Sequence, residues 1–126
     1  MNKLIFASLL LAVSATTLAQ DIMEDGSRIV LPLKTQECGL PSAPPPIPEG
    51  AVKEDLIKAQ KNIKTFQNEM TIYRACLDEG SDSGELSSGN LQAISNAHNY
   101  SVDMEERVAA MFNEALRAYK ASLSKD

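Results

Sequence analysis

His98 is the one histidine in the sequence, and a nucleophile without a base in hydrogen-bond reach is weak at neutral pH. Any acyl- or group-transfer chemistry would therefore turn on His98, and its setting argues against that. It falls within a long helical pattern, roughly opposite Tyr73 if two helices pair antiparallel. A histidine at the edge of a core, hydrogen-bonded to a neighbour, is the expected reading. Asp103, Glu105 and Glu106 follow one another along a solvated run with no implied pocket, so they do not form a glycosidase pair. No Gly-rich phosphate loop follows a strand. Met70, Met104 and Met111 are soft donors that could handle copper outside the cytoplasm, yet all three stand at apolar seam positions, where methionine fills cores. The expectation is a non-enzymatic protein without cofactor or metal.

Cys38 and Cys76 carry the remaining chemistry, and the start of the chain decides how they are read. MNKLIFASLLLAVSATTLAQ has one cation, Lys3, then an apolar run from Leu4 to Val13, then small residues up to Ala19. This is the layout of a secretory signal peptide cut after Ala19, and the run is too short to span a bilayer. The expected destination is the periplasm, as a soluble chain without a stable membrane anchor. In that oxidising compartment two cysteines pair by default, and their spacing does not suit zinc.

With 126 residues and a net charge of -5, the chain has room for one small domain. It lacks the cation surplus that gripping nucleic acid needs and has no polybasic hold on lipid.

The elements divide at residue 50. Residues 20–50 are expected to be extended: a short apolar patch at Ile29, Val30 and Leu31 is broken by Pro32, and residues 39–50 hold five prolines and two glycines. That composition favours polyproline II. From there Val52, Leu56, Ala59, Ile63, Phe66, Met70, Tyr73 and Leu77 alternate gaps of four and three, a coiled-coil-like stripe. A helix over 51–78 follows, stopped by the turn residues 80–84. Ser87 can cap a second helix over 88–123, with Leu86 stapled to Leu91 and Asn90 where a capping box would take Glu or Gln. Its seam is Ile94, Ala97, Ser101, Met104, Val108, Met111, Ala115, Ala118 and Ser122. Beside it runs a second row at sevens: Leu91, His98, Glu105, Phe112 and Tyr119. The short connection predicts an all-α fold, a long antiparallel αα-hairpin over 51–126.

Two helices bury only one seam, which is thin for a domain of this size. The outer row must be covered by the Pro-rich segment or by a partner. Cys76 lies about 36 Å up the first helix from Val52 at 1.5 Å per residue. A polyproline segment from Cys38 to Val52 reaches about 43 Å. A turn at Glu49-Gly50 would thus lay the segment along the hairpin, bring Cys38 to Cys76, and leave prolines 44–48 near Phe112 and Tyr119 at the free ends.

Cys38, the proline stretch closing on Ile47-Pro48-Glu49-Gly50, Tyr73-x-x-Cys76-Leu77-Asp78, His98-Asn99, Phe112-Asn113 and Tyr119-Lys120 stand in an order that resembles a family of small exported proteobacterial proteins of unassigned activity. The likeness spans residues 38 to about 120. It implies a periplasmic destination and paired cysteines, and it carries over no catalytic residue. The functional expectation is an interaction or structural module of the cell envelope. It would dock an envelope protein or a second copy of itself through Leu91, His98, Phe112 and Tyr119. A small periplasmic chaperone or stress protein is the alternative, and metal handling ranks last.

Overall fold

A hairpin of two long helices, preceded by an arm and a strap, makes up residues 22–125, the part of the chain that the structure, a computed structural model, describes. The leader with its expected cut after Ala19 lies outside the described residues. The elements are α1 (Leu33–Gln36), α2 (Lys53–Asp82) and α3 (Ser88–Leu123). At 1.5 Å per residue α2 is about 45 Å long and α3 about 54 Å. Residues 83–87 join them and the two pack against each other as a hairpin.

The first turn of α2 has Glu54 and Asp55 beside the positive end of the helix dipole. The Val52 amide donates to the Asp55 carboxylate at 3.0 Å. The helix then runs one turn beyond the expected stop at Asp78. Gly80 does not break it because it serves as a notch: a Cβ there would collide with the methyl of Thr35. Thr35 is buried, and its hydroxyl donates to the Pro32 carbonyl at 2.8 Å. Its methyl is what seats α1 on α2. The helix ends where serines bond back to the freed carbonyls, Ser81 to Asp78 at 2.9 Å and Ser83 to Gly80 at 2.8 Å. Gly84, with φ 148°, then turns the chain out.

At the start of α3 the Ser87 hydroxyl accepts from the Asn90 amide at 3.1 Å, and the Ser87 amide reaches the Asn90 side chain at 3.4 Å. Asn90 thus does complete a capping box. Its side-chain NH2 also donates to the Val30 carbonyl at 2.8 Å, which a glutamate could not do. The expected staple does not form in this way: Leu86 packs against the core and Leu91 is 51 % exposed. The arm before α1 is not a strand at Ile29–Leu31; it is a small loop closed by an isolated bridge between Ile22 and Arg28. It lies over the α3 N-terminus, where the Ser88 amide donates to Asp25 at 3.2 Å and the Gly89 amide to Ser27 Oγ at 2.9 Å. Gly89 is required by this approach, since a Cβ would strike the Arg28 carbonyl.

The arm makes a pH-dependent contact. Asp25 accepts from the Ser27 hydroxyl at 2.6 Å, the Ser27 amide at 2.9 Å and the Ser88 amide. Those donors, the Ser27 hydroxyl foremost, favour the ionised carboxylate and hold it well below its ordinary value of 3.8. A depressed folded value means that the stabilisation is fully present above about 3.8 and is lost progressively as pH falls from there through the lower folded value. An NMR titration is expected to find the Asp25 carboxyl ionised at pH 3, with the Ser88 amide shift flat to that point. A midpoint near 3.8 would show that the arm does not cap α3.

The core is Phe66, Met70, Tyr73 and Leu77 from α2 against Ile94 and Val108 from α3, with Leu31, Cys38 and Leu86 at its margin. These are the stripe positions read from the sequence. Ser101 interrupts the stripe, fully buried. It donates to the His98 carbonyl at 2.6 Å and accepts from Arg74 at 3.2 Å, while the other Arg74 nitrogen meets Glu105 at 3.1 Å. This bridge crosses from α2 to α3 with its polar groups satisfied, so it sets the pairing register rather than opening a void.

Candidate docking cleft

The bond between Cys38 and Cys76 fixes the strap at the loop end of the hairpin, with a Cα–Cα distance of 5.8 Å and a separation of 38 residues. From there residues 39–50 run toward the free ends, as their length requires. Pro44, Pro45 and Ile47 lie over the groove where Ala59 and Ile63 of α2 meet Val108 and Met111 of α3, leaving a gap of only about 40 Å³. The Cys38 amide donates to Thr35 at 3.1 Å and the Val52 amide to Asp55. Between these two, no hydrogen bond among the described residues ties the strap to the long helices. Prolines lack the donor, so the strap is held by apolar packing, by sulfur and by its continuity with α2.

Near the free end the strap lifts away from α3. Pro46, Ile47 and Pro48 form one wall of a cleft of about 410 Å³, with Met111, Ala115, Ala118 and Tyr119 opposite. Glu49 on the strap and Glu114 on α3 are its charged residues. Neither belongs to an ion pair, since Arg74–Glu105 is the salt bridge found among the described residues. Ser122, in the last turn of α3, and Gly50 and Ala51, just before α2, also line the cleft, so the negative end of one helix dipole and the positive end of the other meet at this mouth.

The expected docking row does not stay together. Leu91 projects outward at the loop end, and His98 is half-buried at the core edge, with no hydrogen bond from its imidazole among the described residues. Glu105 is paired with Arg74. Phe112 is half-buried and absent from the cleft, leaving Tyr119 as the row's one member in it. The cause is helical drift: a strict seven-residue repeat shifts by about 20° per heptad on a straight helix. By the last two heptads the row has turned far enough that Phe112 lies outside the cleft lining. The seam residues Met111, Ala115, Ala118 and Ser122 have rotated toward the strap. Met111 is consequently 48 % exposed in the cleft, whereas Met70 and Met104 pack in the core as expected. The seven-residue spacing of Leu91 to Tyr119, set against a period of 3.6, was the sequence signal for this exchange.

Among the described residues, no three or more His, Cys, Asp or Glu side chains gather as a metal site, and no helix is long and apolar enough to cross a membrane. Burial raises the pKa of Tyr73, which keeps its phenol neutral. The fold thus defines a disulfide-clasped helical hairpin with an apolar cleft at its open end. No family model, no curated protein and no solved structure matches the chain.

Proposed function

We propose that this chain is an exported, non-enzymatic interaction module that docks a partner protein of the cell envelope in the cleft at the free end of the hairpin. The observation that carries the reading is the cleft itself. It is a concave surface between the strap and α3, with Met111 and Ile47 facing an unfilled space. Elsewhere, the side chains that hydrogen-bond between elements serve structure: Arg74, Ser101 and Glu105 bridge the helices, and Asp25, Ser27 and Asn90 tie the arm to the start of α3. The leader pattern and the cysteine pair support a periplasmic setting, because such bonds persist there.

A photo-crosslinking residue at Ala118, in the cleft, and another at Gln92, exposed near the loop end, test this in intact cells. The expected result is one discrete adduct from position 118, recovered with the periplasmic fraction, and none from 92. A ladder of adducts shared by both positions would point instead to a chaperone that holds many unfolded chains. Cytoplasmic recovery of the uncut precursor would remove the export reading.

A further inference from the structure

Resting on the docking reading of this cleft, we infer that its occupant is a peptide segment of another protein carrying lysine or arginine on either side of an apolar residue. The floor asks for the apolar residue: Ile47, Met111, Ala115 and the Tyr119 ring surround the space. The rims ask for the cations. Glu49 stands on the strap wall and Glu114 on the helix wall, both exposed and without an ion-pair partner, and no lysine, arginine or histidine lines the cleft. A net charge of -5 draws a cationic segment in from a distance.

Two features separate this occupant from others. The strap wall presents Pro46 and Pro48, which have no backbone N–H, so an incoming chain cannot pair along it as an added strand and must be read through its side chains. The cleft is also only half enclosed, whereas small-ligand sites enclose most of their ligand. A second copy is disfavoured by placement. Its cationic ridge with an apolar centre is Lys53, Ile57, Lys61 and Lys64, with Ile57 44 % exposed. At 100° per residue that ridge lies on the face of α2 turned away from the strap. A copy docked there would have to present that outer ridge to the cleft of its neighbour.

Fluorescence anisotropy with the oxidised, processed protein tests the inference. The probes are a labelled peptide of Lys-Leu-Lys triplets and its Glu-Leu-Glu counterpart. The basic probe should bind at least tenfold tighter, weaken with salt, lose tenfold or more on the double change Glu49→Gln and Glu114→Gln, and fail to bind Ala118→Arg. Circular dichroism checks that both variants keep the hairpin, since all three positions face solvent. Equal binding of the two probes, or no loss in the glutamine variant, overturns the cationic occupant. If Ala118→Arg still blocks the probes in that case, the docking reading survives. If Ala118→Arg changes nothing, both readings fall. Spermine displacing the basic peptide at equal concentration would make the occupant a free polyamine and overturn the peptide.

Discussion

Reducing the Cys38–Cys76 bond is expected to lower the stability of the folded chain by about 4 kcal/mol, the loop-closure entropy of a 38-residue ring. For a domain of this size that corresponds to a fall in Tm of roughly 15–30 °C. The full value is an upper bound, because α1, seated on α2 through Thr35, and the arm bonded to the start of α3 also hold that end of the strap. Once the bond opens, residues 39–51 keep only apolar contact with the groove and the peptide link to α2. Thermal melts by circular dichroism, with and without reductant, measure the shift, and mass should remain that of a monomer. A dimer on non-reducing gels that reductant dissolves would show that the cysteines pair between chains. An unchanged Tm would show that the strap is held by something other than sulfur.

Phe66→Ala is expected to cost about 3–5 kcal/mol. Phe66 is 2 % exposed at the centre of the cluster that joins α2 to α3, and a hairpin has no second layer able to collapse into the space. Urea unfolding should show the midpoint falling with the slope unchanged. A cost below 1 kcal/mol would mean that the two helices are not packed through this residue. Phe66 and Cys76 are ten residues apart on one helix, about 15 Å, a distance at which effects add. The two losses together, roughly 7–9 kcal/mol, approach the whole stability of a small domain. The reduced Phe66→Ala protein should therefore be unfolded at 25 °C.

The hairpin was legible because its signal is redundant. Eight apolar residues from Val52 to Leu77 keep one helical phase, and all six of the α2 core residues, Leu56, Ala59, Phe66, Met70, Tyr73 and Leu77, are drawn from them. The clasp was legible for a different reason: two lengths, one of polyproline and one of helix, had to agree, and Cys38 does meet Cys76. The end of α2 was misplaced because Gly80 reads as a breaker locally, while its role is tertiary, a seat for Thr35 some 45 residues earlier. The arm escaped for the same reason. Asp25, Ser27 and Val30 have no local pattern, and they acquire meaning only against Ser88, Gly89 and Asn90. The docking row was half legible. Tyr119 does lie in the cleft, but a ladder drawn on a flat wheel hid the drift that turns Phe112 away and brings Met111, Glu114 and Ala118 forward.

The strap has a bearing on survival among proteases. Extended, solvent-facing chain is where such enzymes bind and cut, and here it carries no lysine or arginine between Lys34 and Lys53, so trypsin-like enzymes find no scissile bond in it. Its five prolines obstruct most others. Even a nick between residues 39 and 52 would leave both fragments riveted through Cys38 and Cys76, with every residue of the helical pair still in place. The module is thus arranged so that its most accessible stretch can be severed without the molecule coming apart.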